Sequence, residues 1–140
     1  MKYIDKPSVA KQVDIKAWES FFNVKMPNDL QELLFSSNGP ILYDEQIKKE
    51  LQFLSTDDAI SFYGAYGFNE ACKNALPILL DGSSNFAVYN LEKGEINGIY
   101  GIPSGSLWDD AVKIGDTIND LVIDKQLIED RIHNNKNASK

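Results

Sequence analysis

The chain has one cysteine, one histidine, and no apolar run near membrane-spanning length. Each scarcity removes a class of protein. A lone Cys72 cannot close an internal disulfide, which points to a reducing compartment. A bilayer span needs about 20 consecutive apolar residues, and no stretch approaches that. The start, Met1 to Pro7, has no apolar leader core, so the expected location is the cytoplasm. His133 is the only imidazole and stands where the last helical pattern fades into a polar tail. Cys72 therefore has no second histidine to activate it, and general-base chemistry has no placed partner. No catalytic residue, cofactor or metal site is assigned.

Basic charge is also scarce. The 140 residues carry 14 Lys and Arg against 21 Asp and Glu, for a net charge of −7. Residues 1–40 are neutral, residues 41–124 hold five Lys against fourteen acids (net −9), and residues 125–140 are at +2. A nucleic-acid interface needs basic surface to displace counterions, so none is expected. The acidic middle suits a basic protein partner by steering, and equally serves solubility.

What is present is one domain's worth of core, 43% hydrophobic residues. It is organised around Leu76 to Tyr100. Phe86–Leu91 and Ile96–Tyr100 are apolar runs flanking Glu92-Lys93-Gly94-Glu95, which reads as a β-hairpin. Phe86 and Val88 on one parity, and Ala87, Tyr89 and Leu91 on the other, are largely apolar, so this strand belongs inside a sheet. Asn97-Gly98 is a competing turn signal; Gly98 is read instead as a bulge or tight contact. Leu76 to Leu80 predicts a strand entered through Pro77. Asp81 to Asn85 has neither the spacing nor the lysine of a phosphate loop, and is read as a turn held by its own side chains.

Ahead of the hairpin, Ile15, Trp18 and Phe22 share a helical face, with Asp14 as the expected cap and Asn23 as the end. A second helix starts at Pro27, with Asp29 and Glu32 near its positive end and Leu30, Leu33 and Leu34 as its stripe. Asn38-Gly39 is the expected left-handed stop. Residues 1–13 read as an arm.

The order Trp18-Glu19, Phe22, Met26-Pro27, Asp29-Leu30, Leu33-Leu34, Asn38-Gly39 resembles the opening of the SMI1/KNR4 (SUKH) superfamily. The Pro77 strand, the Asp81-Gly82-x-x-Asn85 loop and the following strand are similar to its second signature. Ala111 to Leu121 is similar to its closing helix entry. Met26 stands for the usual Leu, Leu30 for Tyr, Ser83-Ser84 for Gly and Ile118 for Phe. The resemblance implies an α+β fold: a single domain over 14–132, with a central antiparallel sheet flanked by two N-terminal helices and a C-terminal helix. Residues 133–140 are left as a polar tail.

Between these blocks, Ile41 to Tyr43 is a strand or a loop anchor, and Leu51, Phe53 and Leu54 form a strand. Ser55 and Asp58 stand at capping-box spacing, opening a helix lined by Ala59, Phe62, Tyr63 and Tyr66 and weakened by Gly64 and Gly67. After the hairpin come a loop at 103–106, a short strand through Val112 and Ile114, and a helix capped by Asp116. Ile118, Leu121, Val122, Ile128 and Ile132 approximate one face of that helix. Asp57-Asp58 and Asp109-Asp110 are adjacent pairs, which diverge in direction and do not match a calcium loop. Trp108 either plugs the sheet–helix core or stands exposed beside its two acids, as a hot spot for Arg or Lys would.

The resemblance implies a non-catalytic protein-binding module, an immunity protein that neutralises a cognate bacterial toxin, such as a nuclease of a polymorphic toxin system. Its expected contact surface is Asp57, Asp58, Tyr63, Tyr66, Trp108, Asp109 and Asp110. Fungal-type regulatory scaffolding is the alternative, and a small-ligand binder using Asp81 to Asn85 the third.

Overall fold

The computed structural model describes residues 2–44, 48–81, 85–103 and 108–122. In chain order the elements are β1 (Lys2–Asp5), α1 (Gln12–Phe22), α2 (Asn28–Ser36), β2 (Ile41–Asp44), β3 (Lys49–Phe53), α3 (Thr56–Ala65), α4 (Phe68–Ala71), β4 (Ala75–Asp81), β5 (Phe86–Glu92), β6 (Glu95–Ile102), a 3-10 turn (Trp108–Asp110), β7 (Val112–Gly115) and α5 (Ile118–Val122). The fold is α+β. The seven strands make one sheet in the order of the chain, and each neighbouring pair is antiparallel.

The hairpin sits where the sequence put it. Glu92 faces Glu95 across Lys93 and Gly94, both at positive φ (53° and 78°), as a tight two-residue turn requires. β5 lies inside the sheet, between β4 and β6. Its two faces serve two clusters. Ala87 and Tyr89 pack with Ile15, Trp18, Phe22, Leu30, Leu34, Ile118 and Leu121, so α1, α2 and α5 contribute to that face. Phe86 and Val88 pack with Phe68, Ala75 and Ile102 on the other. Between the pairs Tyr89–Ile99 and Leu91–Ile96, one residue of β5 (Asn90) opposes two of β6 (Asn97 and Gly98), which is the bulge expected at Gly98. Pro77 is accommodated the same way. Ile78 is an extra residue in β4, and its carbonyl accepts from Leu54 N–H at 2.8 Å.

Several local readings are corrected. The segment read as an arm carries β1, which pairs with β2. Asp14 is not the first cap of α1: it lies one turn in, and its carboxylate accepts from Lys11 N–H at 2.8 Å. Asn38-Gly39 does not end α2, which stops at Ser37 in extended backbone. Asn38 instead reaches forward, its Oδ1 accepting from Thr56 N–H at the start of α3 (3.1 Å). Asp116 does not cap α5; Asp120 Oδ2 accepts from Asp116 N–H (2.8 Å) and Thr117 N–H (3.0 Å). Ile128, Ile132, His133 and the 133–140 tail lie outside the described residues.

Candidate functional site

The sequence-predicted surface begins at α3. Ser55 Oγ accepts from Asp58 N–H at 3.0 Å, the expected cap, which leaves both acids in the first turn where the helix end favours negative charge. Asp57 is exposed and Asp58 half-buried. Tyr66 lies nine residues after Asp57, about 13 Å along the axis.

Aromatic packing sets the other end of α3. Tyr63 is half-buried, edge-on to Phe22 (5.4 Å) and Phe21 (5.9 Å) and stacked near Phe68 (6.4 Å). Its hydroxyl donates to the Lys73 carbonyl at 2.7 Å. Burial, with Cys72 nearby, pushes the phenol above its ordinary range. Tyr66 is 56% exposed, edge-on to Phe86 at 5.0 Å and tilted against Phe62 at 5.2 Å. Phe21 is 50% exposed and was not singled out from the sequence. The signal was there: in Phe21-Phe22, adjacent helical residues cannot both face the core.

Asp109 and Asp110 are exposed in the 3-10 turn between β6 and β7, and the Trp108 side chain lies outside the described residues. Ala111, next in the chain, packs against the cluster of Phe68 and Phe86 on which Tyr66 rests. The turn and the C-terminal half of α3 thus border one cluster, while Asp57 and Asp58 stand at the far end of the helix.

Asp81 and Asn85 are joined directly through their side chains. Asp81 Oδ1 accepts from Asn85 N–H at 2.9 Å and Oδ2 from Asn85 Nδ2 at 3.0 Å, with both residues buried.

A cleft of about 590 Å³, not anticipated from the sequence, opens on the face that carries α2 and α5. Pro27, Asn28, Asp29, Tyr89, Ile96, Asn97, Gly98, Asp116 and Thr117 line it. Asp29 holds its wall together: Oδ1 accepts from Leu30 N–H and Oδ2 from Ile118 N–H, each at 2.8 Å. Lys113 Nζ pairs with Asp116 Oδ1 at 2.9 Å on the rim, which holds the ammonium above its usual range. Tyr89 is 1% exposed, and burial, reinforced by the Asp29 carboxylate, pushes its phenol far above the usual range.

Among the described residues no three His, Cys, Asp or Glu gather as metal ligands, and no helix is long and apolar enough to cross a membrane. The arrangement is an α+β domain that exposes the aromatic rings of Phe21 and Tyr66 and the acids Asp57, Asp109 and Asp110. Residues 9–124 match the sequence profile of the SMI1 / KNR4 family (SUKH-1), and the chain belongs to that family. A search of curated proteins finds no significant match.

Proposed function

We propose that this chain is a stoichiometric protein-binding inhibitor, an immunity protein that occupies a basic bacterial toxin domain in the cytoplasm. The observation that carries the reading is the pair of half-exposed rings, Phe21 and Tyr66, each fixed by ring contacts to residues beneath it. Rigid aromatic anchors lose little freedom on binding, which is the character of interface hot spots. Asp57 and Asp58 on α3, with Asp109 and Asp110, add the charge that attracts a basic partner. Family membership supports the reading, and the resemblance drawn above supplies the toxin-directed role.

The test is capture. Tagged protein is used as bait in lysate of the source strain grown under toxin-inducing conditions, with washes at low and high salt. One stoichiometric basic partner, released at high salt and toxic when expressed without this chain, is the expected result. A set of weak host partners, none of them toxic, would replace this reading with regulatory scaffolding.

A further inference from the structure

The Tyr89 hydroxyl has no hydrogen-bond partner among the described residues, although it is shut off from water. A buried hydroxyl left unpaired destabilises the fold, and such a group calls for a reason. Tyr89 lines the cleft between the start of α2, the β6 bulge and the start of α5. The charged lining is acidic, with the Lys113 ammonium at the rim beside Gly98 and Asp116. Asp29 and Asp116 are lining residues, and no Lys, Arg or His is among the described ones. Each Asp29 oxygen accepts one backbone N–H and keeps a second lone pair. Asn97 donates its amide to Glu92 Oε2 at 2.5 Å, which leaves its carbonyl to accept. Asp116 already holds one cation, Lys113, at the rim.

A ligand for this set carries positive charge and several donors in a plane. A guanidinium has five donors and is weakly hydrated; an ammonium is compact and holds its water strongly. We propose that the cleft receives an arginine side chain of the protein partner: its guanidinium takes the place of Lys113 at Asp116, pairs with Asp29, and reaches the Tyr89 hydroxyl through a local shift of the cleft floor that opens it. This rests on the reading that the chain binds a protein. It adds a contact on the sheet face opposite Phe86, the residue on which Tyr66 rests.

The probe is the capped peptide acetyl-Gly-Arg-Gly-amide, titrated into isotope-labelled protein while the amide signals of Ile96, Gly98 and Thr117 are followed. The lysine peptide and the citrulline peptide, which has the shape without the charge, run in parallel. Saturable shifts with arginine, weaker with lysine and absent with citrulline, are expected. Tyr89→Phe is expected to weaken arginine binding roughly three- to tenfold while its melting temperature stays level or rises. That pairing separates a binding hydroxyl from a structural one. Equal shifts with citrulline, no saturation with arginine, or unchanged affinity in Tyr89→Phe overturns the proposal. The probe contains no toxin, so arginine-specific shifts support the cleft even where capture returns no toxin. Conversely, a captured toxin bound equally well by Tyr89→Phe and Asp116→Asn overturns the cleft and leaves the immunity reading in place.

Discussion

Asp29 and Ile118 are 89 positions apart, and the carboxylate of one accepts the backbone N–H of the other at 2.8 Å. Asp29 stands in the first turn of α2, and Ile118 opens α5. One carboxylate thus serves the N-terminal ends of two helices, because its second oxygen accepts from Leu30 N–H. Helix starts leave backbone donors unpaired, and negative charge is favoured there. Asp29→Ala is expected to lower unfolding free energy by about 2–4 kcal/mol, with two donors orphaned. Asp29→Asn, which keeps one good acceptor, is expected to lose about half of that. Urea denaturation measures both, with the exposed Asp57→Asn as a control expected within about 0.5 kcal/mol of wild type. An Asp29→Ala protein as stable as the control would remove this bond from the account of the fold.

That relationship marks where the sequence stops being legible. Local patterns located the hairpin, the two apolar faces of β5, the Gly98 bulge and the Ser55 cap, since each is written within a few residues. Asp29 could be assigned to the start of α2 and no further, because its second donor comes from the other end of the chain. Asn38 failed for the same reason: Asn-Gly reads as a local stop, yet its side chain serves α3. The arm at 1–13 hid a strand because edge strands need only a short pairing partner, here β2. Tyr89 was placed on the correct face of its strand. That its hydroxyl would be left unpaired beside a cleft depends on the packing of α2 and α5, which periodicity does not encode.

Two glycines at positive φ separate strain from collision. A Cβ at Gly94 (φ +78°) would meet nothing within 4 Å, whereas one at Gly39 (φ +95°) would lie 2.7 Å from Ser55 N, the backbone that starts α3. Gly94→Ala is expected to cost about 1 kcal/mol from the left-handed backbone alone. Gly39→Ala adds an overpacking contact that no rotamer can relieve, for a total of about 2–4 kcal/mol. Thermal melts of the two variants, compared side by side, check the ordering. Equal losses would mean that the Gly39 loop moves away from Ser55 at little cost.

Tyr89 sets an alkaline limit on stability. Its phenol titrates near 10 in the unfolded chain, and the fold raises that value by burial and by the Asp29 carboxylate. The folded state therefore favours the protonated form. Its contribution is complete below about pH 10 and is lost as pH rises from there toward the folded value. In Tyr89→Phe nothing titrates at this position. The stability difference between wild type and Tyr89→Phe is expected to be flat from about pH 6 to 9 and to turn against wild type above about pH 10. Taking the difference removes Tyr63 and Lys113, whose values are also raised and which both proteins share. A difference that stays flat to about pH 11.5 would show that the phenolate finds water in the fold.

Tyr63 and Tyr66, three residues apart on α3, should separate stability from affinity. Tyr63 is half-buried and anchored at several points: its hydroxyl bonds the Lys73 carbonyl, and its ring touches Phe21, Phe22 and Phe68. Tyr63→Ala removes packing that joins α1, α3 and α4, with an expected loss of about 2–4 kcal/mol in unfolding free energy. Tyr66 rests on Phe86 and Phe62 but keeps 56% of its surface in water. Tyr66→Ala should cost the fold about 1 kcal/mol or less. Against the captured partner the ranking inverts. A hot-spot ring is worth about 2 kcal/mol or more, so Tyr66→Ala should raise Kd by at least about thirtyfold, and Phe21→Ala should act in the same direction. Calorimetric titration of the two variants, each first shown to be folded, gives the answer. Partner affinity unchanged in both Tyr66→Ala and Phe21→Ala would move the interface off the α1–α3 face and leave the cleft at Tyr89 as its remaining anchor.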